Sequence, residues 1–340
     1  MNDLKSPFRW PAEWESQAAT WIAWPHNRET WPGHYDDIPS VFETLVTALS
    51  NCQPVHIIAA AGAVYEDATT RLGHCPNVFI HSIATNDCWI RDYGPTFVQR
   101  LDDRSLVGVL WHFNAWGDKY PPYDLDDAAA EKICRHLGAP FNQSSLYCEG
   151  GALEGNGDGL LLTTSSCLLS TTRNAGWKRE MVEEELRLQL GVKQVVWVDG
   201  GGLVGDDTDG HIDQLARFVA PTVVVAATSH DSTDPNAPGL QKNVELLRST
   251  RTLDGGLLAV HELPTPPPRW VDGQRVPESY CNFIFAEGSV IVPTFRAATD
   301  QYALDLLARL LPNRRVVPLD AYDLIWGLGA FHCVTQNQPA

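Results

Sequence analysis

The sequence predicts a mixed α/β protein, because short apolar runs of strand length alternate along it with segments whose apolar residues recur at helical spacing. Residues 54–60, 195–198 and 221–225 are near-continuous runs rich in Val and Ile, the pattern of strands buried on both faces. Residues 38–49, 178–190 and 301–311 place Leu, Val and Ile three and four apart, which predicts helices with one buried face. In the second of these, Glu183, Glu184 and Glu185 predict a solvated side.

Turn segments recur between these elements. Glu149-Gly150-Gly151 and Asp199-Gly200-Gly201-Gly202 each put glycines after an acid, and residues 87–95, Glu287-Gly288 and 327–333 mark further turns. A period of about fifty residues fits repeated supersecondary units or ordinary loop chemistry. Residues 263–277 are proline-rich, which excludes a regular helix or a central strand. Strand-like sequence resumes at 280–286, so this stretch reads as a surface excursion rather than a domain linker.

Composition narrows the function. The chain has 340 residues, 44% of them hydrophobic, enough for one large domain or two. With 25 Lys+Arg against 42 Asp+Glu, the formal charge is −17, which disfavours a nucleic-acid partner and weakly attracts cations. The eight cysteines, at 52, 75, 88, 134, 148, 167, 281 and 333, are irregularly spaced and form no CxxC pair. Residues 1–10 carry no apolar signal region, and no run approaches the ~18 apolar residues of a membrane span. Free thiols in a cytoplasmic compartment are therefore expected. The twelve tryptophans can serve a homo-oligomer interface or the core, and most fit the core.

Three segments carry candidate chemistry. Cys333 follows a small-residue turn, adjoins His332 and precedes Thr335 and Gln336; a polar setting near a base suits a nucleophilic thiolate. His211 and Asp213, in Thr208-Asp209-Gly210-His211-Ile212-Asp213, share a side if the segment is a strand, with Asp206 and Asp207 just before. An acid-flanked His reads as an acid/base, as a ligand of a divalent ion, or as structural. Asp87, Trp89, Arg91 and Asp92 combine carboxylates with an indole, as a cation site or as a capped turn before Gly94-Pro95. Together the three fit one reaction class, attack by sulfur on a guanidinium carbon whose N–H groups are held by carboxylates.

These segments, with Trp10-Pro-Ala-Glu-Trp-Glu15, Thr20-Trp-Ile-Ala-Trp-Pro25, Trp111-His-Phe-Asn-Ala-Trp-Gly117 and Glu149-Gly-Gly151, resemble the agmatine deiminases. Those are relatives of the bacterial peptidylarginine deiminases in the guanidine-modifying superfamily, and the resemblance runs nearly end to end. It implies a single catalytic domain over 1–340, a five-bladed pseudosymmetric α/β propeller (pentein) of ββαβ repeats. It implies Cys333 as nucleophile, His211 as acid/base, and Asp92 and Asp213 as the carboxylates that hold the guanidinium. Asp87 is the alternative to Asp92, disfavoured by the Trp-x-x-Asp spacing. Trp89 becomes a wall of the substrate slot, Asp207 an acidic position associated with agmatine binding, and Glu149 a residue ordering the site through turn hydrogen bonds. The implied reaction converts a small cationic guanidine, agmatine, to N-carbamoylputrescine and ammonia without metal or organic cofactor. Deimination of another guanidine, amidino transfer, and polyamine or metal binding without catalysis are the rivals. The chain departs from the family at Leu328 and Ala330, which interrupt a glycine-rich run, and at residues 118–124.

Overall fold

The structure, a computed structural model, describes residues 6–340; residues 1–5, part of the segment read above for a signal region, lie outside the described residues. Five sheets share one plan: an antiparallel pair, then a helix, then a strand parallel to the second of the pair. Parallel neighbours cannot be joined by a tight turn, so each plan needs its crossover helix.

In chain order, the first sheet has Gln17–Ala23 beside Val55–Ala59, connected through the helix Ile38–Ser50, and extends through Ala63–Leu72 to Val78–Ser82. Its antiparallel partner is Gln336–Pro339, from the far end of the described chain. The second joins Thr96–Arg100, Leu106–His112 and Phe141–Tyr147 across Ala129–Leu137, with Phe8–Arg9 on its edge. The third joins Glu154–Gly155, Leu160–Thr163 and Gln194–Trp197 across Arg179–Leu190. The fourth joins Ala216–Ala220, Val223–Thr228 and Ala259–Pro264 across Ala237–Ser249. The fifth joins Ile284–Ala286, Ser289–Thr294 and Arg315–Asp320 across Asp300–Leu310.

The predicted helices match Ile38–Ser50, Arg179–Leu190 and Asp300–Leu310 to within a residue or two. Pro39 sits in the first turn of Ile38–Ser50, where its missing N–H costs nothing. Gly191 ends Arg179–Leu190 at φ 71°, and a Cβ there would fall 1.9 Å from the Phe8 carbonyl oxygen, so glycine is required by conformation and by space. Only part of the glutamate run is solvated: Glu184 is exposed, while Glu183 accepts from Trp197 Nε1 and Glu185 from Ser144 Oγ. The proline-rich stretch begins at the end of an edge strand and includes a two-stranded ribbon, Trp270–Val271 with Gln274–Arg275. Within 280–286 only Ile284–Ala286 is strand; the rest is a turn that serves the site.

Two apolar clusters form the core, one reaching all five sheets and a smaller one between the second and third. Trp21, Trp24 and Trp31 are fully buried, and of the twelve tryptophans only Trp270 is exposed. One cation is fully buried as well. Arg217 donates to Glu154 at 2.8 Å, to Glu13 at 2.6 Å and to the carbonyls of Cys281 and Phe283, tying three sheets and the N-terminal segment together. All eight cysteines are free, and no described helix is long and apolar enough to cross a membrane.

Candidate active site

The polar residues singled out in the sequence come together in the turns that lead into the first strand of each sheet. Asp92 lies in the short helix Ile90–Tyr93 before Thr96–Arg100, and Glu149 precedes the 3-10 turn Gly150–Ala152 before Glu154–Gly155. His211 and Asp213 precede Ala216–Ala220, and Cys333 precedes Gln336–Pro339. The fifth sheet contributes Asn282, just before Ile284–Ala286, a residue that sequence reasoning missed. The segment around His211, where a strand would have put His211 and Asp213 on one side, is an extended residue followed by the 3-10 turn Ile212–Gln214. Asp209 at φ 67° and Gly210 at φ 94° break any strand there, and Asp206 caps the turn by accepting from Thr208 and Gly210.

Gly151 is the point of convergence. A Cβ built on it would come within 2.6 Å of His211 Nδ1, 2.8 Å of Asp92 Oδ1 and 3.1 Å of Asp213 Oδ2, so any other residue would push these three groups apart. Its N–H donates to Asp92 Oδ1 at 3.0 Å, and Trp116 Nε1 donates to the other oxygen at 2.9 Å. Asp87 turns away from this point and accepts from Thr30, Asn27 and the Cys88 N–H. Asp92, not Asp87, therefore stands beside His211.

Asn282 builds the cradle of the Cys333 thiol. Its side-chain oxygen accepts from the backbone N–H groups of Ala330, His332 and Cys333, and its Nδ2 lies 3.2 Å from both Cys333 Sγ and Asp213 Oδ2. Cys333 Sγ lies 3.6 Å from Asp213 Oδ2. The adjoining His332, read from sequence as a base beside the thiol, instead bridges Asp213 at 2.7 Å and Glu13 at 2.9 Å. It anchors the carboxylate. A signal for Asn282 did exist: Tyr280-Cys281-Asn282 occupies the same place before its sheet as the other site residues do before theirs.

Glu149 does not cap its turn with its side chain. It faces His211 Nε2 at 3.7 Å and takes a buried ion pair from Arg173 at 2.7 Å. Arg173 also holds Asp209 at 2.7 Å and the Thr208 carbonyl at 3.0 Å, so one guanidinium fixes both Glu149 and the turn that presents His211. Trp89 packs between this centre and the Gly327–Gly329 turn, where a Cβ on Gly329 would lie 2.5 Å from its ring and 2.9 Å from Cys333 Cβ. Leu328 adopts φ 70° in that turn, a conformation that costs a non-glycine residue roughly 1–2 kcal/mol. Ala330 keeps the loop in place through its N–H on Asn282.

The surroundings set the charges unequally. Burial works against a charge on His211, but Asp92, Cys167 and Glu149 outweigh it and lift the imidazole well above its usual value. Glu149, opposed by burial, is brought to about 2 chiefly by Arg173 and His211. Asp213 is lowered against burial by His332, His211 and Arg217, whereas burial raises Asp92 to about 6. Burial, then Asp213 and Asp92, push the Cys333 thiol well above its ordinary range. Both ring nitrogens of His211 and Asp213 Oδ1 are buried without a hydrogen-bond partner. Unpartnered buried polar atoms are costly unless a ligand completes them.

A cavity of about 1100 Å³ opens onto Cys333, Asp92 and Trp89 and includes Asp207, whose Oδ2 accepts from Tyr120 at 2.6 Å. Its lining has six acids (Glu29, Asp87, Asp92, Asp126, Asp207 and Asp272) and, besides His26, two strong bases, Arg28 and Lys119. Both bases are already paired, with Asp36 and Asp209. Burial pushes Asp126 to about 8, so it is mostly uncharged at neutral pH, and the cavity still presents an excess of negative charge.

The thiol's setting makes an immediate prediction. In the free protein, alkylation of Cys333, followed by peptide mass mapping, is expected to keep accelerating with pH beyond the ordinary thiol range, since only the thiolate reacts. A bound guanidinium analogue that is not turned over should shift that rise to lower pH, by supplying positive charge beside the sulfur. Saturation near neutral pH without ligand would overturn this account.

The geometry so described is that of a thiol and an imidazole set around a negatively charged slot, on an α/β frame, and known proteins share that frame. The family model for Porphyromonas-type peptidyl-arginine deiminase matches residues 9–339. A putative agmatine deiminase of Legionella pneumophila is 34% identical, the match covering 98% of this chain and 95% of the relative. An agmatine deiminase of Pseudomonas aeruginosa is 35% identical, covering 98% and 96%. Among solved structures, a C. jejuni agmatine deiminase, a cysteine-to-serine variant with substrate bound, superimposes with a TM-score of 0.90 at 30% identity, covering 98% of this chain and 96% of that one. The chain belongs to the Porphyromonas-type peptidyl-arginine deiminase family and has the α/β fold of the agmatine deiminases.

Proposed function

We propose that this protein is an agmatine deiminase, hydrolysing agmatine to N-carbamoylputrescine and ammonia in polyamine metabolism. The observation that carries the reading is the buried set of Asp92, Asp213 and His211 around Gly151, with open polar atoms beside the Cys333 thiol and a negative cavity above. Curated relatives named agmatine deiminase, matching nearly the whole chain, support it. The repeated plan of five sheets supports a single catalytic domain built as a five-bladed α/β propeller. Eight free cysteines accord with the cytoplasm.

In this reading the guanidinium lies between Asp92 and Asp213, which fix its N–H groups. Its charge favours loss of the Cys333 proton to solvent, and the thiolate adds to the guanidinium carbon. Protonated His211 gives its proton to one nitrogen, which leaves as ammonia, and an amidino-cysteine cation remains. Neutral His211 then takes a proton from water as the oxygen adds to the same carbon. Expulsion of the thiolate leaves a ureido group, and the remaining proton passes to ammonia. Trp89 walls the slot, Glu149 holds His211 charged, and Asp207 receives the distal ammonium. No step calls for a metal or organic cofactor.

Ammonia release across agmatine, free arginine and arginyl peptides tests the assignment. Agmatine is expected to show the highest kcat/KM, because the acid-rich cavity favours a second cation over a carboxylate. Preference for an arginyl peptide, or ammonia release that requires an acceptor amine, would replace the reading with peptidyl deimination or amidino transfer.

A further inference from the structure

Cys167 has no part in that reaction, yet it lies against the catalytic centre. It is fully buried, and its Sγ stands 3.4 Å from Glu149 Oε2. The same oxygen is 3.7 Å from His211 Nε2, and the sulfur, nitrogen and oxygen all lie within 4.8 Å of one another. From the usual Zn–S, Zn–N and Zn–O lengths, the ligand atoms of a tetrahedral zinc centre stand roughly 3.3–3.6 Å apart. Two of the three edges, sulfur to oxygen at 3.4 Å and oxygen to nitrogen at 3.7 Å, are thus close to those of one face of such a tetrahedron, and the third needs at most a small side-chain adjustment. His211 Nε2 supplies an independent pointer, since it is buried, aimed into this space and without a hydrogen-bond partner.

We propose that Glu149, Cys167 and His211 form an inhibitory site for a thiophilic divalent cation of the zinc class. Binding joins the metal to Cys167 Sγ, His211 Nε2 and Glu149 Oε2, and releases the Cys167 thiol proton and the His211 ring proton to solvent. The net charge of the set is unchanged, so the buried pocket gains no uncompensated charge. Arg173 holds the other Glu149 oxygen, and its guanidinium weakens the cation's hold. The site therefore acts as a trap filled when metal is abundant, and not as a resident centre. Occupation removes His211 from proton transfer, and this inhibitory consequence rests on the role proposed for His211. Inhibition through this site differs from thiol capture at Cys333, because it depends on a cysteine that the reaction does not use.

The test separates binding from inhibition. In the full chain carrying Cys333→Ser, cadmium titration should give a thiolate-to-metal charge-transfer band, part of which disappears when Cys167→Ser or, as a second variant, Cys167→Ala is added. Thermal unfolding verifies that each variant is folded. In the chain with Cys333 intact, zinc should inhibit ammonia release, and Cys167→Ser should raise the inhibitory concentration at least about tenfold, equal to about 1.4 kcal/mol of metal affinity. A cadmium band unaltered by both Cys167 variants overturns the site. A Cys167-dependent band without zinc inhibition leaves the site standing but overturns the inhibition and the role of His211.

Discussion

Cys333→Ser is expected to lower the rate of ammonia release by on the order of 10⁴-fold or more while leaving agmatine binding nearly intact. The hydroxyl is a far weaker nucleophile than a thiolate and would stand in the same acid-lined environment that already resists ionisation of the thiol. Binding is expected to survive because the carboxylates proposed to hold the cation, Asp92 and Asp213, are fixed by other partners: the Gly151 N–H, Trp116 and His332. Calorimetric titration with agmatine should therefore return a Kd within a few-fold of the parent KM under conditions where the parent's chemistry is slow relative to release. Loss of binding together with turnover would mean that Cys333 shapes the pocket; an unchanged rate would remove it from the reaction.

Arg217→Met should destabilise the protein by roughly 3–5 kcal/mol, the cost of breaking a buried ion pair by removing one partner. Arg217 is fully buried and serves Glu13, Glu154 and two backbone carbonyls at once. Burial pushes Glu154 upward, so it can relieve part of the loss by taking a proton. Glu13 cannot do so as readily, because His332, Arg91 and Arg217 together hold it well below the carboxylate range against burial. Since His332 bridges Glu13 and Asp213 through its two ring nitrogens, the variant should raise KM as well as reduce urea resistance. A stability loss under about 1 kcal/mol would show that the network repacks around methionine.

Much of this was legible in sequence, and the illegible part has a physical reason. The helices and buried strands announced themselves through apolar periodicity, a local property, and Cys333, His211, Asp92 and Glu149 stood out by residue type beside glycine turns. The geometry among them was not local. That Gly151 must lack a side chain so that Asp92, His211 and Asp213 can meet follows only from three turns approaching one another. Asn282 sat in what reads as a strand, and four of its five side-chain contacts appear only when the 330–333 loop closes over it, the fifth being to Asp213. His332 misled because adjacency in sequence placed a base beside the thiol, whereas the backbone turn directs the ring toward Asp213 and Glu13. Arg173 and Cys167 carried no motif that distinguishes them from ordinary core residues.

The pairing of Gln336–Pro339 with Gln17–Ala23 joins segments more than three hundred positions apart, and Cys333 lies in the turn that this pairing secures. Contacts so distant along the chain are slow to form, because the entropy of closing the intervening loop must be overcome first. Cys333 is then among the last groups to reach its place, after the sheets that carry Asp92, Glu149 and His211 can already have formed from nearer contacts. Turnover would thus serve as a clock for refolding: activity should lag behind the recovery of helical circular dichroism, and the lag would time the moment at which that last strand is captured.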